Sequence, residues 1–465
     1  MNILDIIEKK KRGQELTKDE IEFVIKGVVA ENGDPDFIPD YQLSALLMAI
    51  VLKGMTDVET ANLTMAMTNS GDTLDLSFMG RTILDKHSTG GVGDKTTLIV
   101  GPIMSSLGVP IAKMSGRGLG ITGGTIDKLE SIPGFTSSIS EEQFINNLKT
   151  IGNVDAAQTK SLAPADKRLY ALRDVTATID SLPLIASSIM SKKLASGADS
   201  IVLDVKCGNG AFMKNKEDAS MLASTMIDIG EKCGRKCSAV ISDMNIPLGR
   251  CVGNKLEVME AVDFLKDYKS SEPRLRNLMF VICREMFRLS DKYEGNSDEE
   301  ITAMISSTLE EGRAYDYFLK LINAQGGDVS RLEEVCTPSA KYKAEIVIPD
   351  IISSLKGIKD DMNNNASDML SGKALSADVI GRTSLALGAG RMTKEDTIDT
   401  DAGIVIDILE NGNICYTLYS NSKEKLEDGK AVIEKALISY INKEELSENL
   451  VADRNAAIIY DIIRK

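Results

Sequence analysis

The residues best equipped for chemistry lie between Asp85 and Leu129, in two glycine-rich, hydroxyl-rich loops about one βα unit apart. The first reads Asp85-Lys86-His87-Ser88-Thr89-Gly90-Gly91-Val92-Gly93-Asp94-Lys95-Thr96-Thr97. The second reads Lys113-Met114-Ser115-Gly116-Arg117-Gly118-Leu119-Gly120-Ile121-Thr122-Gly123-Gly124-Thr125. Glycine lets backbone N–H groups approach an anion with no Cβ in the way, and Ser and Thr hydroxyls add donors. A helix that follows such a loop points its positive end at the same place. Lys86 supplies full charge, and His87 is the only histidine in the chain. The pattern predicts a cradle for phosphate, or phosphate and sugar, with a proton donor beside it.

Two common phosphate motifs fit poorly. Gly118-x-Gly120-x-x-Gly123 has the spacing of a dinucleotide fingerprint, but the acidic residue expected about 20 positions on would be Glu141, which sits where a helix cap is predicted. The first loop is not a P-loop, because Asp94 separates Gly93 from Lys95 where Gly-Lys-Thr should be contiguous. A pair of turn-rich loops with no ligand is the bland alternative.

Residues 163–195 are the second informative stretch. Ser188 and Lys192 are four apart and share a helix face. With Arg173 upstream they could grip a flat polar ring. A solvated lysine and a helical serine would look the same in isolation.

The elements that must position these groups can be read from periodicity. Residues 1–70 predict helices, with capping boxes at Thr17-x-x-Glu20 and Thr56-x-x-Glu59 and an apolar helix from Tyr41 to Leu52. In 80–155, Ile83-Leu84 reads as a short buried strand, Thr97 to Leu107 as a helix, and Gly108 to Ala112 as the next strand. Ser140-x-x-Gln143 caps another helix. Strand, glycine loop, helix, strand, glycine loop is the order of a parallel sheet, where ligands collect at the carboxyl ends of strands. Ile201 to Val205 and Val240 to Asp243 read as further strands, and 273–325 as amphipathic helices. From about 340 the texture changes: Ile346-Val347-Ile348-Pro349 is strand-like, Asp360 to Asn365 a polar turn, and Leu387 to Arg391 a tight loop. The expected fold is α/β with a separate all-helical domain. A central mixed, largely parallel sheet is flanked by helices, and a small α+β domain ends the chain. The expected division is 1–70 with 163–195 (helical), 71–162 with 196–335 (α/β) and 336–465 (C-terminal).

Composition narrows the partners. A net charge of −15 over 465 residues argues against nucleic acid or an anionic membrane. An acidic protein that binds phosphate must do so with local donors. No apolar run reaches membrane-spanning length without a charge or proline, and Met1-Asn2-Ile3-Leu4-Asp5 does not begin a secretory signal. Seven scattered cysteines read as reduced structural thiols in a cytoplasmic protein, and a zinc site is not expected.

These motifs resemble the pyrimidine-nucleoside and thymidine phosphorylase family. The resemblance rests on Asp85 to Asp94, Ser115 to Gly120, Gly123 to Pro133, Leu169 to Thr178 and Ser187 to Lys193, extended by Val205 to Met213 and Leu387 to Met392. It implies that phosphate attacks C1′ of a pyrimidine nucleoside, releasing the base and (deoxy)ribose 1-phosphate, with no organic cofactor. Lys86, Ser88, Thr97, Ser115 and Thr125 fall on the family's phosphate contacts, and His87, Arg173, Ser188 and Lys192 on its base-binding residues. Arg173 and Lys192 would stabilise negative charge on the departing base. His87 would hydrogen-bond or protonate O2, its unperturbed pKa lying near neutrality. The resemblance also implies a potassium ion held mainly by backbone carbonyls at Gly93, Lys95, Leu248 and Cys251 with the Glu260 carboxylate. Lys95 stands where Thr is often seen, so its ammonium is expected to point away. A homodimer through the helical domain is implied as well.

Two positions bear on specificity. Lys113 goes, in the family, with use of uridine as well as thymidine, since Lys can donate to a ribose 2′-hydroxyl and Met cannot. Ile121 replaces the usual His, which predicts altered sugar preference or, as an alternative function, a non-catalytic or altered-substrate nucleoside-binding homologue. A phosphoribosyltransferase on the same scaffold would need an acidic magnesium motif near the pyrophosphate site, and Asp360-Asp361 falls in the wrong domain.

Overall fold

The computed structural model describes residues 1–464 except 119, 122, 160, 349–372, 392–395, 411 and 443–446. The expected polar turn at 360–365 lies outside the described residues. Helices Ile3–Lys11, Lys18–Val29, Asp40–Lys53 and Asp57–Thr68 pack with two later ones, Pro164–Val175 and Leu182–Ala195. Their common core includes Ile21, Val24, Leu43, Leu47, Leu63, Leu169 and Leu184. Both predicted capping boxes form, and such a cap contributes about 1 kcal/mol. Glu59 does more than close its box: its carboxylate also accepts from Lys10 Nζ at 2.7 Å and Leu16 N at 2.8 Å inside the bundle.

Twelve strands are described: β1 Leu84–Ser88, β2 Ile111–Ser115, β3 Asn153–Ala157, β4 Ser200–Cys207, β5 Lys236–Asp243, β6 Cys251–Val252, β7 Tyr342–Val347, β8 Lys373–Leu375, β9 Gly403–Ile408, β10 Ile414–Ser420, β11 Val451–Asp453 and β12 Ile459–Arg464. The main sheet has the order β12-β5-β4-β1-β2-β3. β3, β2, β1, β4 and β5 run parallel, and β12 runs antiparallel to β5. Every residue of β2 and β4 is buried, as in parallel strands covered on both faces, and their charged members Lys113, Asp204 and Lys206 are buried with them. The chain leaves this sheet at the carboxyl ends of β1 and β2 through the two glycine-rich loops.

A four-stranded antiparallel sheet, β6-β9-β10-β7, and a β8-β11 pair make up the rest. Helices Ala377–Leu387 and Lys423–Ile441 pack on each other beside them. The segment expected as a C-terminal domain, 336–465, is tied to the α/β segment by two strand pairings. β6 comes from the α/β segment yet pairs with β9, and β12 returns to edge the main sheet on β5. Both pairings join residues far apart in sequence, which local patterning does not encode.

The helical bundle joins the main sheet by three chain crossings, and they run side by side. Asp72 N donates to Ser161 O at 3.0 Å, and Leu74 N to Ala195 O at 2.9 Å. A Cβ on Gly71 would lie 1.9 Å from Ser161 O. One on Gly197, whose φ is +82°, would lie 2.5 Å from Leu74 O. Only glycine allows this approach. Among the described residues, no helix is long and apolar enough to cross a membrane.

Candidate active site

β1 sorts the first motif onto two walls. Side chains alternate along a strand, so Asp85 and His87 face one way and Lys86 and Ser88 the other. Asp85 accepts from Lys193 Nζ at 2.8 Å, on the helical bundle. Lys86 and Ser88 instead meet Thr96 and Asp94 at the start of helix Thr96–Ser106. Between these walls lies a cleft of about 400 Å³. Its lining includes His87, Ser88, Thr97, Lys113, Ser115, Thr125, Arg173, Ser188 and Lys192, so the structure brings nine of the predicted residues together.

The hydroxyl wall consists of Ser88, Thr97, Ser115 and Thr125. Ser88 donates to Asp94, whose other oxygen accepts from Thr96 Oγ1 at 2.6 Å. Burial would raise the Asp94 pKa, but Lys86, Lys206 and Lys128 hold it well below the usual carboxylate range. The second loop is closed by Asp127, which accepts from Gly118 N at 2.7 Å and from Arg391 Nη2 at 2.9 Å. A Cβ on Gly124 would lie 2.0 Å from Gly118 N, so the loop can fold on itself only with glycine there. Lys86 does not line the cleft. It is buried beneath, donating to Thr96 and lying 3.4 Å from Asp204. A strand residue that faces the core follows its own face, and Asp94 and Asp204 supply the charge it needs there.

The other wall comes from the two later bundle helices. Lys192 donates to Ser188 Oγ at 3.1 Å and pairs with Asp166 at 2.6 Å, so the predicted helix-face pair forms. Arg173 is largely committed. It donates to the carbonyls of Thr178 (3.1 Å), Leu184 (3.1 Å) and Ile179 (2.7 Å), which leaves two of its five N–H donors. That grip holds the 176–181 turn, where Ala177 adopts a φ of +54°, a strained value for a residue with a Cβ. His87 Nε2 is buried without a hydrogen-bond partner. Burial, then the ammonium groups of Lys193, Lys113, Lys86 and Lys192, push its pKa well below the ordinary value. The expected near-neutral titration is therefore corrected: the ring is neutral at physiological pH and presents a hydrogen bond rather than a full charge.

The two specificity positions separate. Lys113 lines the cleft, with Nζ 3.8 Å from Asp85 and its pKa lowered to about 8 by burial and by Lys193. Ile121 does not line it. It packs against Gly381 of helix Ala377–Leu387, where an added Cβ would meet the Ile121 Cβ at 3.0 Å. Ile121 thus faces helix Ala377–Leu387 and not the cleft.

The groups expected to hold potassium are engaged by a side chain of this protein. Lys95 is fully buried, and its Nζ donates to Leu248 O at 2.7 Å and Cys251 O at 3.0 Å while pairing with Glu260 at 2.7 Å. The Gly93 carbonyl accepts from Lys95 N at 2.9 Å. The ammonium does not point away. It meets two of the carbonyls and the carboxylate expected to hold the ion. Burial acts to lower the Lys95 pKa, but Glu260 and Glu257 more than offset this and raise it. No group of three or more His, Cys, Asp or Glu suited to a metal occurs among the described residues.

Sequence reasoning missed several lining residues. Tyr170 and Phe212, 45% and 43% exposed, stand at the cleft with Ile179, Ile185, Ile189 and Leu222 as an apolar surface. An exposed aromatic in a glycine loop, as in Gly208-Asn209-Gly210-Ala211-Phe212, was the available signal. In the sequence Asp94 stands out as a break in a P-loop and as the end of the first motif, with no role of its own.

Three family models match successive stretches of the chain. Residues 4–71 match the glycosyl transferase family helical bundle domain, 80–315 its a/b domain, and 373–439 the pyrimidine nucleoside phosphorylase C-terminal domain. A pyrimidine-nucleoside phosphorylase of Geobacillus stearothermophilus is 49% identical over 436 residues, covering 92% of this chain and 94% of that protein. The chain belongs to the pyrimidine-nucleoside phosphorylase family. The family's Staphylococcus haemolyticus member is 49% identical over 434 residues, with the same coverage of 92% and 94%. Anthranilate phosphoribosyltransferase from Thermus thermophilus shares the fold with a TM-score of 0.55 at 19% identity, over 69% of this chain and 98% of that one. At that identity the likeness concerns fold alone.

Proposed function

We propose that the protein catalyses reversible phosphorolysis of pyrimidine nucleosides, taking uridine, deoxyuridine and thymidine to free base and (deoxy)ribose 1-phosphate. The observation that carries this reading is one cleft with two chemically different walls: hydroxyls and glycine loops on one side, and His87, Arg173, Ser188 and Lys192 on the other. Phosphate on the first wall lies opposite a base on the second, in line for attack at C1′. A phosphate oxygen bonds to C1′ as the C1′–N1 bond breaks. The electron pair leaves with the base, spread over N1, O2 and O4, and a proton later takes the place of the sugar.

Each residue then has a role. Ser88, Thr97, Ser115 and Thr125 hold phosphate, with Lys86 acting from beneath through Thr96 and the local field. Lys192 and the remaining N–H groups of Arg173 stabilise the charge that develops on the base, and Ser188 fixes its edge. His87 donates a hydrogen bond to O2. A bound phosphate dianion would offset the lysines that now depress its pKa, so its acidity depends on phosphate being present. Lys113 lies where it could reach a ribose hydroxyl, which favours use of uridine. The test is release of base from uridine, deoxyuridine and thymidine with and without phosphate. No phosphate-dependent release from any of them overturns the proposal.

The proposed assembly is a homodimer through the helical bundle, in the cytoplasm. Leu4, Tyr41, Leu52, Val58 and Met65 are apolar, exposed and all on bundle helices, which suits a partner surface. Light scattering at working concentration should give twice the chain mass.

A further inference from the structure

We propose that the Lys95 ammonium is a built-in cation, and that this protein needs no monovalent metal ion where its relatives would be expected to hold potassium. A lysine ammonium has three N–H donors. Here it meets three oxygens: Leu248 O at 2.7 Å, Cys251 O at 3.0 Å and Glu260 Oε2 at 2.7 Å. Donors and acceptors match one to one, and the side chain is fully buried. A metal ion bound by the same carbonyls would overlap the nitrogen.

The surroundings are shaped to this one charge. Glu260 accepts from Arg250 N at 2.7 Å and Cys251 N at 2.8 Å as well as from Lys95, so its carboxylate has partners on both oxygens. A Cβ on Gly249 would lie 2.6 Å from Glu260 Oε1, and one on Gly93 2.6 Å from Leu248 O. Leu248 N donates to Val92 O at 3.0 Å. The 248–251 turn is therefore fastened to the first glycine-rich loop through Lys95, two residues before the cleft residue Thr97. A tethered ammonium keeps that fastening at any salt composition, whereas a bound ion would make it depend on potassium concentration.

The test compares potassium chloride with tetramethylammonium chloride at equal ionic strength, reading the thermal midpoint of the full chain and, separately, nucleoside phosphorolysis. The wild type should show the same midpoint and rate in both salts. The variant Lys95→Thr should melt roughly 5 °C or more lower in tetramethylammonium, because a buried carboxylate loses its partner. Added potassium should restore most of that loss with a saturable dependence. A wild type whose midpoint or rate rises saturably with potassium overturns the proposal. So does a Lys95→Thr protein that melts lower but ignores potassium. If that variant does not fold, the wild-type comparison decides alone. The melting readout needs no substrate, so it is independent of the reading of the cleft.

Discussion

The cleft and the Lys95 pocket lie a few residues apart on the same loop, and their polar groups are arranged in opposite ways. In the pocket every donor has an acceptor within the protein. In the cleft, His87 Nε2 and Ser115 Oγ are buried with no partner. An unmatched buried polar group costs about 1–3 kcal/mol. In the cleft a ligand could relieve that cost, whereas the Lys95 pocket carries none of it.

The strongest way to break this contrast is to remove a group from the cleft. His87→Ala and Lys192→Ala should each lower kcat by roughly 10²–10³-fold, with circular dichroism unchanged. His87→Gln keeps an N–H donor and should fall between Ala and wild type. Full activity in His87→Ala would mean the unpaired ring is not waiting for substrate. Next in size, Lys113→Met should reduce kcat/KM for uridine about 10-fold while leaving thymidine within about threefold. The same lysine gives a pH test. Its pKa is lowered to about 8, so it is charged below that pH and neutral above it. The uridine-to-thymidine ratio of kcat/KM should fall a few-fold as pH rises through that value, and should be flat in Lys113→Met. A flat ratio in the wild type would detach Lys113 from sugar choice. The smallest effect is expected at Ile121→His. That side chain faces Gly381 and not the cleft, so kinetic constants should stay within about twofold. A changed sugar preference would show that the loop turns over when ligand binds.

What the sequence made legible was mostly local. Both capping boxes, the strand-loop-helix order and the Ser188–Lys192 pair could be read because each is set by residues a few positions apart. The bundle, the largely parallel sheet and a final α+β region follow from the same patterns. What stayed hidden depends on distant partners. The direction of Lys95 is decided by carbonyls some 150 residues on. Lys86 is drawn under the sheet by Asp204, and Ile121 is claimed by a helix near residue 381. Arg173 lines the cleft, but the turn that uses its donors is not legible in the sequence. The neutral state of His87 needed the positions of four lysines from three separate segments.

β12 closes one edge of the main sheet from the far end of the chain. Its residues, 459–464, cover the flank of β5, which spans 236–243. During synthesis that flank stays bare while nearly half of the polypeptide emerges from the ribosome, offering a ready template for a neighbouring nascent chain. Expression yield should therefore be most sensitive to trimming or blocking these few amino acids, though they lie far from any chemistry.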